Sequence, residues 1–154
     1  MKLLWIALLV YFFDIAQQTN VNSCSDGSTT PEVQFYLTSG EVCDEQPCIV
    51  VPGGDIYMHV FFKSPGYLEN IKPDMKASSL GVSLDYPLFQ DNACDGIINT
   101  VCPLVKNETV EYYYKMSLLD VFPEVTVTLT FTIIDEDTST NVVCFIVDIK
   151  IKRP

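Results

Sequence analysis

Residues 125–134 read VTVTLTFTII, and from Val125 to Ile133 an apolar side chain alternates with threonine without a break. Successive side chains of a strand point to opposite faces, so Val125, Val127, Leu129, Phe131 and Ile133 share one side and the threonines the other. The apolar side faces either an ordinary sandwich core or a cavity that holds an apolar ligand.

The same alternation recurs along the chain. Runs of strand-forming residues at 21–24, 32–38, 56–63, 75–82, 110–118, 124–134 and 142–152 are broken by turn signals, and no stretch keeps a helical period. Seven short strands in one small domain predict an all-β fold, a β-sandwich. The fourth is the least regular, because MKASSLGV alternates poorly. VPGGD at 51–55 and SPG at 64–66 supply turn chemistry, and DEDTSTN at 135–141 is a polar connection that predicts a hairpin between the last two strands.

The alternation also assigns the inward faces. Besides the opening strand these are Val33, Phe35 and Leu37; Ile56, Met58, Val60 and Phe62; Val110, Tyr112, Tyr114, Met116 and Leu118; and Phe145, Val147, Ile149 and Ile151. In the last strand the opposite set, Asp148, Lys150 and Lys152, is charged, and a one-residue slip would bury it.

The chain opens with Lys2 and an unbroken apolar run at 3–13, too short to span a bilayer as a helix but suited to the core of a secretory signal. Residues 1–16 therefore read as a signal peptide cleaved after Ala16, and 17–154 as a single domain of about 138 residues, long enough to bury a core. The only tryptophan, Trp5, leaves with the leader. The leader removes one lysine and one aspartate, so the net charge stays at −11. Such an excess disfavours nucleic acid and anionic membrane surfaces as partners and favours solubility.

Six cysteines follow this leader: Cys24, Cys43, Cys48, Cys94, Cys102 and Cys144. An even count in a short secreted chain suggests three disulfides, which could form in 15 ways. The close pairs in CDEQPC and CDGIINTVC look like locally stapled loops, which would leave Cys24 and Cys144 to tie the ends together. Zinc is the weaker reading, since its sites favour short C-x₂₋₄-C spacings.

Candidates for catalysis are few, and no enzyme is expected. His59, the only histidine, falls on the outer face of its strand with no nucleophile motif beside it. The acids Asp135, Glu136 and Asp137 fall on a turn, where solvation is the expected fate. DNACDG at 91–96 lacks the ligand spacing of a calcium loop and reads as a disulfide-locked turn, so no metal or cofactor is expected. NET at 107–109 is a glycosylation acceptor, placing Asn107 on a surface turn. Two segments, LDYPLF at 84–89 and LLDVFP at 118–123, are unusually apolar for connections and predict loops that cover something.

With the order of six cysteines, NACDGIINTVCPLVKNETVEYYY, FPEVTVTLTFTIIDED and VVCFIVDIKI together, the chain resembles the ML lipid-recognition family across essentially its whole mature length. Within that family it is similar to the Niemann-Pick type C-two, or epididymal secretory protein, branch, with the group-two mite allergens as relatives. The resemblance implies an immunoglobulin-like β-sandwich of two antiparallel sheets with a hydrophobic cavity between them. It also implies the bridges Cys24–Cys144, Cys43–Cys48 and Cys94–Cys102. The positions that guard the cavity mouth in the sterol-carrying branch match Tyr86, Leu118 and Phe122. That branch usually has Phe, Val and Tyr there, so apolar bulk is kept while the hydroxyl moves.

The expected function is that of a secreted, non-enzymatic carrier of one sterol, fatty acid or chemical signal. Met58, Tyr112, Met116, Leu129, Phe131, Phe145 and Val147 would desolvate the ligand, and Tyr86, Leu118 and Phe122 would admit it. The two apolar loops would part for exchange, with the disulfides holding the sheets together. The implied partners are the apolar small molecule and a membrane or receptor for transfer. The chain itself would be a monomer, outside the cell or in the lumen of endosomes and lysosomes. The alternative is an extracellular interaction or immune-recognition module built on the same sandwich. A standard immunoglobulin domain fits less well, because the mature chain lacks the core tryptophan.

Overall fold

The computed structural model of the chain describes residues 17–154, and the leader expected at 1–16 lies outside them. Nine strands follow in order: β1 (Asn22–Ser23), β2 (Glu32–Tyr36), β3 (Cys48–Val50), β4 (Asp55–Lys63), β5 (Ile71–Ser79), β6 (Val82–Asp85), β7 (Thr109–Ser117), β8 (Thr126–Asp135) and β9 (Thr140–Ile151). They form a six-stranded sheet, β1-β9-β8-β5-β6 with β3 beside β9, and a three-stranded sheet, β2-β4-β7. All pairings between strands are antiparallel except that of β3 with β9.

The alternation in sequence becomes alternation in burial. In β4, Ile56, Met58, Val60 and Phe62 are buried, and opposite them in β7 stand Met116, Tyr114, Tyr112 and Val110. In β8 and β9, Leu129 pairs with Val147 and Phe131 with Phe145, all buried, while Thr128 and Thr130 turn outward. Val125 and Val127, at the start of the decisive stretch, are only half-buried because they lie at the end of the sandwich. The two inner faces meet through aromatic rings. Phe35 lies edge-on to Phe145 at 6.1 Å between centroids, and Tyr112 lies 5.6 Å from Phe131.

The structure corrects the reading at three places and adds detail at a fourth. The expected strand at 75–82 is a hairpin: β5 starts earlier, at Ile71, and turns through Leu80 (φ 51°) and Gly81 (φ 81°) into β6. Two left-handed residues are what a tight two-residue hairpin requires, and the leucine there concealed it. β3 was not expected, because three residues carry no period. Asp135 is buried rather than solvated, accepting hydrogen bonds from the Asp137 N–H at 3.1 Å and the Thr138 hydroxyl at 2.6 Å, and so organises the β8–β9 turn. His59 faces outward as expected but is not a lone surface group: its Nδ1 lies 2.8 Å from Glu111 Oε1, and its ring sits among Tyr36, Phe61 and Tyr113.

Three disulfides join Cys24 to Cys144, Cys43 to Cys48 and Cys94 to Cys102. Only one of them crosses between the sheets. Cys24 follows β1 and Cys144 lies in β9, both in the six-stranded sheet. Cys43 donates its N–H to the Phe35 C=O of β2 at 2.8 Å, while Cys48 belongs to β3, so this bridge tethers the sheets along their β2/β3 side. Cys94–Cys102 closes a loop within the connection from β6 to β7, over a 3₁₀ turn at Ala93–Gly96 that the Asn92 side chain caps.

Candidate ligand site between the sheets

The seven expected lining residues all lie between the sheets and all are buried. Phe131, Phe145 and Tyr112 form a chain of touching rings that Phe35 extends, with 5.4 Å between Phe131 and Phe145. Leu129 and Val147 are cross-strand partners one pair further along, and Met58 and Met116 sit on the facing sheet opposite Tyr114 and Ile56. Methionine is unbranched and adapts its shape to what packs against it.

The mouth residues come from different elements. Tyr86 leaves β6 half-buried, its N–H donating to the Met75 C=O at 2.8 Å. Leu118 follows β7, 6% exposed, held by its own N–H on the Gly54 C=O and by the Gly53 N–H on its C=O, both at 2.9 Å. Gly53 has φ 78°, a left-handed conformation that favours glycine over any residue with a Cβ. Leu118 also walls an outer groove of about 270 Å³ with Leu37, Val50 and Ile56. Phe122 packs half-buried against the core.

Of the two apolar loops only part is covered. Leu119 and Val121 are 61% and 79% exposed, as is Phe89 at 95%, so the expectation that these segments cover the core holds for Leu118, Phe122, Tyr86 and Leu88 alone. The exposed residues add apolar surface to the two loops.

None of the ten site residues is charged. The hydroxyls of the inward-facing Tyr112 and Tyr114 bond to the connection between β6 and β7. The Tyr112 hydroxyl donates to Gln90 Oε1 at 2.5 Å, and the Tyr114 hydroxyl accepts from the Phe89 N–H at 3.3 Å. Burial first, and then the neighbouring Tyr114, push the Tyr112 phenol well above its ordinary pKa; the same two causes raise Tyr86 less. Both hydroxyls therefore stay protonated and can donate.

Three contributors were not anticipated. Gln90 holds Tyr112 across 22 residues of sequence. Gly96 lets the 3₁₀ turn lie against that ring, since a Cβ there would stand 2.4 Å from Tyr112 Cε2. Arg153 donates from Nη2 to the carbonyls of Asp120 at 3.0 Å and Phe122 at 3.4 Å, clamping the mouth loop to the C-terminus. No local signal marks any of the three; Phe35, by contrast, stood on the expected inward face.

The model of the ML domain family matches residues 18–151. The chain belongs to the ML family. The ML family is a lipid-binding and lipid-transport family, not an enzyme family. Among its relatives, the mite group 2 allergen Der f 2 of Dermatophagoides farinae is 27% identical over 124 residues, 80% of this chain and 78% of the allergen. The NPC intracellular cholesterol transporter 2 of Canis lupus familiaris is 24% identical over 110 residues, 71% of this chain and 72% of the transporter. A Niemann-Pick type C2 protein from the Japanese carpenter ant superposes with a TM-score of 0.70 at 19% identity, covering 86% of this chain and 99% of that one, and shares the fold.

Proposed function

We propose that this ML protein is a secreted carrier that takes up one sterol, fatty acid or similar apolar molecule between its two sheets and transports or transfers it. The observation that carries this reading is the pair of inner faces: two continuous apolar walls without a charge, from Met58 and Met116 on one sheet to Leu129, Phe131, Phe145 and Val147 on the other. Kinship with a protein named as a cholesterol transporter supports a sterol as one guest.

A closed interior is what energetics favours in the absence of a guest. An empty cavity of roughly 300 Å³ would cost on the order of 7 kcal/mol at about 24 cal/mol per Å³. That is comparable to the whole stability of a typical domain, about 5–15 kcal/mol. The rings of Phe35, Phe131, Phe145 and Tyr112 therefore meet when no ligand separates them. The placement of the bridges supports opening on one side of the sandwich. With Cys43–Cys48 the only bridge between sheets, the β2/β3 side is the hinge and the β6/β7 side parts, under Tyr86 and the Tyr112–Gln90 bond. The disulfides thus fix one side of the sandwich instead of locking both sheets together.

Asn107 is exposed at a turn with φ 67°, its N–H on the Ser64 C=O, which suits a glycan acceptor on a secreted protein. The second reading, an extracellular recognition module, has one observation in its favour: the outer face of the three-stranded sheet carries Tyr36, Tyr57, His59, Phe61 and Tyr113, where the other sheet carries threonines. Transfer of a fluorescent sterol and of a fluorescent long-chain fatty acid between phosphatidylcholine vesicles, each tried in turn, separates the readings. A carrier accelerates transfer in proportion to its concentration. No acceleration by folded, oxidised protein removes the carrier reading and leaves the module.

A further inference from the structure

The edges of the two sheets are not protected alike. An open strand edge presents N–H and C=O groups to any strand laid beside it. In the six-stranded sheet the outer strands are short, β1 with two residues and β6 with four. In the three-stranded sheet β2 is covered: the Val33 C=O accepts from the Thr19 N–H, the Phe35 N–H donates to Thr19 Oγ1 and the Phe35 C=O accepts from the Cys43 N–H. β7 is covered over its first half only. The Ile98 N–H donates to the Glu111 C=O at 3.0 Å and the Glu111 N–H donates to Asn99 Oδ1 at 2.7 Å, so Glu111 aims its backbone groups outward. Backbone direction alternates along a strand, so Tyr113, Lys115 and Ser117 do the same. Among the described residues none of these three has a backbone partner on that side.

Beside this stretch runs a cleft of about 610 Å³, with Tyr113, Tyr114 and Lys115 on one wall and Phe89, Asp91 and Asp95 on the other. Lysines often guard strand edges, but Lys115 is turned away: its Nζ lies 2.9 Å from Asp55 Oδ2 and 5.8 Å from the Tyr57 ring centre, both on β4 at the covered side.

We propose that the open half of β7 binds an extended basic peptide segment as a fourth strand of the small sheet. The backbone of Tyr113 and Lys115 would supply hydrogen bonds, Phe89 an apolar contact, and Asp91 with Asp95 the attraction for a lysine or arginine. A second copy of the chain fits poorly. It brings another net charge of −11, and a two-fold antiparallel pairing centred on Lys115 sets lysine against lysine. This surface lies outside the sheets, along the side of the sandwich proposed above to part, and a peptide can pair with it whether or not the protein carries lipid.

The test uses the oxidised protein and a capped heptapeptide alternating lysine and valine. Two controls accompany it, one with glutamate for lysine and one N-methylated on the edge that would face β7. Saturable binding of the lysine peptide, with hydrogen exchange of the Tyr113 and Lys115 amides slowed about tenfold or more, and no binding of either control, is the expected result. Lys115→Pro removes an outward N–H that β4 does not use, and should abolish binding, while Lys115→Ala should retain it. No binding, binding of the N-methylated peptide at equal strength, or binding without protection of those two amides overturns the proposal, as does a dimer that buries this edge in sedimentation. Should Lys115→Pro fail to fold, the N-methylated peptide on the unaltered protein decides alone.

Discussion

The Tyr112 hydroxyl and the Gln90 side chain are joined by a 2.5 Å hydrogen bond on the side of the sandwich that no disulfide ties to the opposite sheet. A buried phenol that loses its partner pays the desolvation of its hydroxyl, so this bond resists separation of β7 from the connection at 86–108. Tyr112→Phe is expected to lower stability by about 1 kcal/mol and to speed ligand release, read by denaturant unfolding and by stopped-flow dissociation. Unchanged release with lowered stability would make the bond structural only.

At the proposed mouth, Phe122 and Arg153 are expected to have separable roles. Phe122→Asp should weaken ligand binding about fivefold or more with the fold intact, since a half-buried ring contributes about 1 kcal/mol. Arg153→Ala frees the carbonyls of Asp120 and Phe122, and should raise uptake and release rates together with little change in affinity. An affinity loss from Arg153→Ala equal to that from Phe122→Asp would contradict this division.

Gly96 allows the 3₁₀ turn to rest on Tyr112. A methyl group there would meet Tyr112 Cε2 at 2.4 Å and Gln90 Oε1 at 2.9 Å, so Gly96→Ala should cost about 1–3 kcal/mol, measured by thermal unfolding.

Asp26 gives a test against pH. Hydrogen bonds from Ser28 first, and then from Asn141, hold its carboxyl down to about 2, and its ties to Ser28 and Asn141 pin the chain after β1 to β9 beside Cys24–Cys144. A depressed folded pKa contributes stability that is present above the unfolded value near 3.8 and is lost as pH falls through about 2. An NMR titration of the Asp26 carboxyl should therefore show a midpoint near 2, and the contribution should be intact at pH 5. A midpoint near 4 would show that these bonds are absent in solution.

The Cys24–Cys144 bridge spans 120 residues of sequence. Closing so long a loop stabilises by roughly 4–5 kcal/mol on the chain-entropy account. Cys24→Ala with Cys144→Ala should lower the unfolding free energy by up to that amount without changing which side of the sandwich opens, because the bridge lies within one sheet. Opening along a different side in that variant, read by hydrogen exchange, would place the hinge elsewhere.

Strands β4 and β7 could be read from the sequence because each alternates over nine residues between core and solvent, β8 because apolar residues alternate with threonine from Val125 to Ile133, and β9 because it alternates from Phe145 to Ile151. β5 resisted because Pro73 interrupts its pattern. The Met75 C=O bonds to Tyr86, which places the missing N–H of Pro73 on the same side, beyond the end of β6, where no partner is deprived. The inward lining was legible for the same reason as the strands, and the mouth positions rested on resemblance. Gln90, Gly96 and Arg153 were not legible, since each acts on a residue distant in sequence and from a segment without period. The open β7 edge was equally hidden: it depends on where the neighbouring chain stops covering, at Ile98 and Asn99.

The central claim is that two packed apolar walls part to hold one guest. The most direct measurement is a titration of the oxidised, ligand-stripped protein with a fluorescent sterol and a fluorescent long-chain fatty acid, at neutral pH and near pH 5. Because no charged group lines the interior, the account predicts saturable binding of about one sterol per chain, with the fatty-acid anion weaker at neutral pH. If a well-folded preparation binds neither probe, the walls do not part, and the protein is not a carrier.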